Sequence, residues 1–222
     1  MAEKIFLLTN SIANIFLLLA FIFSLFIAKK TKWHSSFFLI AIYLFFAFVI
    51  NLISVLDSIK ITKFSFLIEF CNLIFALIHF LFLTTYIIKS INIKNQTGFI
   101  KAFQAVFIFT ISFMAYFDFF NHTYYSATAS NIGVMIFCIF YYYFMVQNVT
   151  IFKIGYNSTF LIITGIMFSS CFLIPIILFG NYIKSVYNLD TFYYLAILAP
   201  LGSLIMYLFF IKAFLCIKSQ EI

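Results

Sequence analysis

A chain of 222 residues with 66% hydrophobic and 9% charged side chains carries too little polar surface to coat a soluble globule. Its mean hydropathy of +1.17 calls for lipid as solvent. The formal charge of +7 comes from thirteen lysines, no arginine and six acids, with the lysines scattered over short breaks between apolar runs. Positive-inside topology explains such lysines without a nucleic acid partner.

Seven apolar runs follow one another, and the expected spans cover about 5–28, 36–57, 64–88, 100–120, 128–147, 159–180 and 191–215. The expected fold is all-α, a polytopic membrane protein with a single seven-helix transmembrane domain over residues 1–222. No stretch of this sequence is left for a soluble catalytic or DNA-binding domain. Lys4 ahead of the first run resembles the start of a signal peptide, but the run is longer than a signal-peptide core. Lys29, Lys30 and Lys32 also stand where small residues would mark a cleavage site, so the run is read as a retained span.

Lysine counting sets the expected orientation. With the N-terminus outside, Lys29, Lys30, Lys32, Lys89, Lys94, Lys101, Lys153, Lys212 and Lys218 lie on the cytoplasmic side, and Lys4, Lys60, Lys63 and Lys184 lie outside. The bias of nine against four favours an outward N-terminus and a cytoplasmic C-terminus. On that topology Glu3, Asp57, Glu69, Asp118 and Asp190 fall in the outer half, and Glu221 alone falls inside. The expected location is a bacterial inner membrane, crossed several times.

Thirty-six phenylalanines, fourteen tyrosines and only six glycines and two prolines reflect a global compositional bias. Clusters such as Phe117, Phe119 and Phe120, or Tyr141, Tyr142 and Tyr143, are therefore read as lipid-facing or packing residues and not as a cofactor box.

Chemistry is expected among polar groups at membrane depth, where an ionisable side chain costs roughly 2.5–3.5 kcal/mol even on insertion scales. Glu69 stands about six residues into the third run, roughly 9 Å along a helix. Asn72 at i+3 and His79 at i+10 fall within about 80° of it on a helical wheel. One reading is a proton or cation path in which Glu69 takes the outer position and His79 relays near the midplane. The other places Glu69 at headgroup depth or against a neighbouring helix and makes His79 a packing residue. The two are roughly 15 Å apart along the helix, so water or a third group would have to connect them.

Asn10 and Asn14 share a face of the first run, Asn51 lies in the second, and Ser169 and Ser170 lie in the sixth. Such groups either complete a site or join helices, at about 0.6 kcal/mol per cross-helix bond. Asp57 and Asp118 join Glu69 as the acids near the outer surface. Pro175 and Pro200, in the outer halves of the last two runs, can kink a helix and free carbonyls. Together these residues predict an outward-opening polar cavity.

Other signatures are missing. Cys71, Cys138, Cys171 and Cys216 are spread one per run with no CxxC pair, and His34, His79 and His122 sit at different depths. No GxSxG, HExxH or glycine-rich phosphate loop occurs, so neither metal nor cofactor is expected. No GxxxG motif marks a dimer face, which leaves the oligomeric state open. A retinal protein would carry its lysine near the middle of the last helix, whereas Lys212 lies near its inner end. A three-plus-one-plus-three sugar transporter would show matching prolines in both halves, whereas both prolines here lie in the second.

The stretch Phe66-Leu-Ile-Glu-Phe-Cys-Asn-Leu-Ile-Phe75, the run from Asn131 to Gln147 around Ile139-Phe-Tyr-Tyr-Tyr-Phe-Met145, and Ser158-Thr-Phe-Leu-Ile-Ile-Thr-Gly165 resemble a group of small uncharacterised bacterial seven-helix membrane proteins. Proteins of that group end in a helix similar to the one from Leu195 to Ile217 and are sometimes encoded beside sensor kinases. The group often carries Pro-x-Phe-Trp before span six, where this chain has Tyr156-Asn-Ser-Thr-Phe160. The resemblance implies the seven-helix fold and a place near signalling, and it transfers no catalytic residues.

Three function classes remain at this stage. A sensory or accessory protein would bind a ligand through the outer polar cavity and touch a cytoplasmic or membrane partner protein, or anionic lipid, through its basic inner loops. A small transporter or channel would run through Glu69, Asn72 and His79. A membrane-embedded enzyme would need acids gathered at one depth, with Asp57, Glu69 and Asp118 as candidates, and nothing in the sequence points to one positively.

Overall fold

The computed structural model describes residues 2–30, 37–58, 65–91, 97–121, 125–147, 157–186 and 189–219. These form eight helical segments: α1 (Ala2–Lys30), α2 (Phe37–Ser58), α3 (Ser65–Ile91), α4 (Thr97–Asn121), α5 (Tyr125–Gln147), α6 (Ser158–Val186), α7 (Leu189–Ala196) and α8 (Leu198–Ser219). Six stretches are long and apolar enough to cross a membrane: Ala2–Lys29, Ile74–Ile91, Gly98–Phe120, Tyr125–Gln147, Ser158–Gly180 and Leu189–Ile217. A shorter apolar stretch, Phe37–Ile53, lies in α2. The chain is thus a helical, multi-pass membrane protein, in keeping with its hydropathy.

A helix satisfies its own backbone, which is why it is the form that apolar runs take in hydrocarbon. The hydroxyls follow the same logic. Thr9, Ser11, Thr84, Ser90, Thr110 and Thr164 each donate to the carbonyl four residues earlier, at 2.7 to 3.0 Å for five of them and 2.6 Å for Thr84. Helix starts are fixed by side-chain acceptors. Asn157 caps α6, its Oδ1 accepting the Phe160 amide at 3.1 Å. Asp118, at the far end of α4, accepts the Tyr125 and Ser126 amides at 2.9 and 2.7 Å and so pins the start of α5. Pro200 lacks the amide that would bond the Ala196 carbonyl, and a single turn residue, Ile197, separates α7 from α8 there.

The helices close into a ring. α1 packs on α2, α2 on α3, α3 on α5, α5 on α6, α6 on α8, and α8 back on α1. The fourth helix stands outside that ring, against α3 and α5, and is the least buried of the candidate spans. Its outward face carries Phe99, Val106, Phe109, Phe113 and Phe120, all exposed. The Gln104 amide holds it to the ring by donating to Thr84 and Thr85 of α3 at 2.7 and 3.2 Å.

Neighbouring contacts fix the directions. Cys138 meets the Ile163 carbonyl while Cys171 meets Met135, so α5 and α6 run antiparallel. Ser130 bonds the Ala76 carbonyl while Gly133 meets Phe80, so α3 and α5 run parallel. One end of the bundle therefore gathers the starts of α1, α3, α5 and α7 with the ends of α2, α4 and α6. The sequence positions of Glu3, Asp57, Glu69, Asp118 and Asp190 all belong to that end, which is called the acidic end below. Lys29, Lys89, Lys101 and Lys212 belong to the opposite, lysine end.

The most extensive helix–helix contact is that of α6 with α8. Without a hydrophobic drive between helices in lipid, close backbone approach supplies the contact energy, and glycine permits it. A Cβ on Gly165 would stand 2.8 Å from Phe209 Cβ and 3.2 Å from the Met206 carbonyl oxygen; one on Gly202 would stand 2.7 Å from Phe172 Cβ. In each case the obstructing atom is close to the backbone and cannot swing away. Gly165→Val is therefore expected to lower stability by about 1–3 kcal/mol through overpacking. Gly98→Ala, where nothing lies within 4 Å, is expected to be neutral or slightly stabilising. Unfolding of the two variants in mixed micelles checks the contrast.

Candidate functional site

Inside the ring, on the acidic side, lies a cavity of about 520 Å3. Five elements of the ring and α7 face it: Tyr43, Ala47 and Asn51 from α2, Phe75, Ala76 and His79 from α3, and Ala127, Ser130 and Asn131 from α5. On the other side stand Ser169, Leu173 and Gly180 of α6, Phe192 of α7, and Ser203, Met206 and Tyr207 of α8. Ala127 is two residues from the start of α5 and Phe192 three from the start of α7, so the cavity reaches the acidic end of the helices.

The opposite end of the cavity is closed. One or two turns beyond the lining residues, each helix contributes large buried side chains: Ile40 from α2, Leu83 and Tyr86 from α3, Phe137 and Tyr141 from α5, Ile162 and Ile166 from α6, and Phe210 and Phe214 from α8. These belong to one continuous packed cluster. The cavity-lining polar groups therefore occupy the acidic half of the ring, and the lysine half is a closely packed core of Phe, Leu and Ile that also buries Thr84 and the rings of Tyr86 and Tyr141.

His79 lines the cavity from α3 and is 7% exposed. Its Nδ1 shares a 3.2 Å hydrogen bond with the Tyr43 hydroxyl, and the rings of Tyr43 and Phe75 hold it with centroid distances of 5.5 and 5.9 Å. Its Nε2 is buried and has no partner. Within α5, Asn131 donates its amide to the Ala127 carbonyl at 2.9 Å, which leaves its buried Oδ1 unpartnered. Ser130 ties α5 to α3 by donating to the Ala76 carbonyl at 2.8 Å. Asn51 donates to the Ala47 carbonyl at 3.0 Å. Neither a lysine nor a carboxylate lines the cavity among the described residues, and no group of three His, Cys, Asp or Glu side chains is placed to hold a metal.

The candidate residues from the sequence are thus divided. His79 and Asn51 line the cavity, as does Ser169. Asp118 does not line it; its carboxylate binds the start of α5. Asn10 and Asn14 lie half-buried on α1, a helix that contributes nothing to the lining. Asp57 belongs to α2 and Glu69 and Asn72 to α3, but their side chains lie outside the described residues. Lys212, five residues beyond Tyr207 on α8, is exposed and does not line the cavity.

Sequence reasoning missed Tyr43, Asn131 and Tyr207. Asn131 and Ser130 could have been found by the same filter that selected Asn51 and Ser169, since both are polar residues inside an apolar run. Tyr43 and Tyr207 carried no such signal among fourteen tyrosines.

Tyr43→Phe removes the partner of Nδ1 and leaves both His79 nitrogens unpaired, and a double-mutant cycle with His79→Phe isolates the pair. Its coupling is expected at about 0.6–1.7 kcal/mol, the range of side-chain bonds between membrane helices. Reversible unfolding in mixed micelles measures it. Comparison with protein-family models, with curated proteins and with solved structures finds no match to this chain.

Proposed function

We propose that the protein is a sensory or accessory membrane protein that binds a small ligand in a blind polar pocket open toward the outside of a bacterial inner membrane. In this reading α2 completes a set of seven spans, the N-terminus and the acidic end face outward, and the lysine end faces the cytoplasm. The observation that carries it is the form of the cavity. A volume of about 520 Å3 falls within the roughly 300–1,000 Å3 of small-molecule sites, and a floor of packed Phe, Tyr, Leu and Ile side chains lies between it and the lysine end. A conduit needs a continuous line of polar groups or water. This floor is closely packed and its polar atoms are isolated hydroxyls such as those of Tyr86 and Tyr141, which supports a binding pocket over a transport path through His79.

Orientation rests on the charge asymmetry, nine lysines against one acid at one end and four against five at the other. The basic cytoplasmic end would meet an anionic lipid surface or a partner protein. The break between α7 and α8 supplies a route for a signal. Phe192 and Ser203 flank that break and both line the pocket, so a ligand seated between them touches both segments and biases the angle at which α7 meets α8.

Cysteine accessibility in cells tests this reading. In a background without the four native cysteines, Ala127→Cys and Ser203→Cys are expected to react with a membrane-impermeant thiol reagent added from outside, and Leu83→Cys is expected to stay unreactive from either side. Reaction of the pocket positions only from the cytoplasm would invert the orientation. Reaction of Leu83→Cys would open the floor and favour the transport reading.

A further inference from the structure

We propose that the pocket selects uncharged ligands, partly aromatic, whose head group carries both a hydrogen-bond donor and an acceptor, such as a hydroxyl or a primary amide, and that Asn131 and His79 read that head group. This inference rests on the pocket reading above.

Three observations converge on it. The first is the pair of unsatisfied atoms. Asn131 and His79 are each more than nine-tenths buried, both line the cavity, and each has one polar atom committed within the protein and one with no partner. A buried polar atom without a partner is unfavourable, and a ligand that pairs it recovers the loss. Asn131 Oδ1 can only accept, because its amide nitrogen is the atom bonded to Ala127. His79 Nε2 donates if the Tyr43 hydroxyl gives its proton to Nδ1 and accepts if Nδ1 carries the proton. A hydroxyl answers both atoms when Nε2 donates, giving its proton to Asn131 and accepting from His79, and a primary amide, with two N–H donors, also answers the form in which Nε2 accepts.

The second observation is their depth. Ser130 meets Ala76 and Gly133 meets Phe80 across parallel helices, so α5 residue 131 stands level with α3 residue 77. His79 is then two residues, roughly 3 Å, deeper. That axial offset is within the size of one head group.

The third is the remainder of the lining. Without a lysine or carboxylate among the described lining residues, a charged ligand would lose its hydration with no countercharge to replace it. The rings of Phe75 and Phe192 and the side chains of Leu173 and Ile177 offer apolar and aromatic contact to the body of the ligand.

Equilibrium dialysis of the full chain in lipid nanodiscs, with empty nanodiscs subtracted, tests the selection with four probes of one shape: 2-naphthol, naphthalene, 2-naphthoate and 2-naphthylmethylammonium. 2-Naphthol is expected to bind saturably and at least tenfold more tightly than either charged probe. Asn131→Leu is expected to weaken it about tenfold, to the level of naphthalene. Equal binding of a charged probe, or 2-naphthol binding that ignores Asn131→Leu, overturns the ligand class and leaves the pocket standing. Absence of saturable binding by all four probes removes the pocket reading and this inference with it. If Asn131→Leu fails to give a monodisperse protein, His79→Phe carries the same comparison.

Discussion

The seating of α8 between α1 and α6 is the contact on which the rest of the bundle depends. It turns a row of packed helices into a closed ring, and only a closed ring encloses space. In lipid this closure cannot draw on the hydrophobic effect, since the tails are as apolar as the side chains. It draws on proximity. Gly165 and Gly202 bring the two backbones together by admitting the Phe209 and Phe172 side chains where any other residue would place a Cβ. Two of the six glycines in the chain thus serve one interface, and that use explains them better than flexibility does.

Closure divides the interior in two. Toward the lysine end, Phe137, Phe210, Phe214, Tyr86 and their aliphatic neighbours fill the ring. Toward the acidic end, small residues face one another instead: Ala47, Ala76, Ala127, Ser130, Ser169 and Ser203 leave the volume that the large residues occupy below. The cavity therefore follows from side-chain size at matched depths on five helices. The polar groups within it keep their order through local bonds, the Tyr43–His79 pair across α2 and α3 and the Ser130–Ala76 bond across α3 and α5. Helix α4 takes no part in the lining. Its exposed phenylalanines present a continuous apolar face, and Gln104 anchors it to α3 from outside.

Legibility in the sequence differed from residue to residue for physical reasons. His79 and Asn51 were visible because a polar side chain in an apolar run is improbable without a use, and both do line the cavity. Asp118 passed the same filter for a different reason. It accepts two amides at the start of α5, a capping role that depends on where the chain turns back and not on any pocket. Asn10 and Asn14 also passed it and stand on α1, the one member of the ring whose residues do not reach the cavity. Tyr43 and Tyr207 were invisible because this composition makes tyrosine ordinary, and a residue becomes informative only when its neighbours are known.

Membrane residence, the helical class, the approximate helix limits and the charge asymmetry along the sequence were all carried by the amino-acid sequence, because hydropathy and charge are sums over local composition and need no knowledge of partners. The broken last span was foreshadowed by Pro200, since a missing amide acts on its own helix. Ring order, the exclusion of α4 and the meeting of His79, Tyr43 and Asn131 around one cavity were decided only by tertiary structure. Those features depend on how each helix is rotated about its axis and which helix it touches, and the stripes of Phe, Ile and Leu on every face of these spans leave both choices open until close packing selects one.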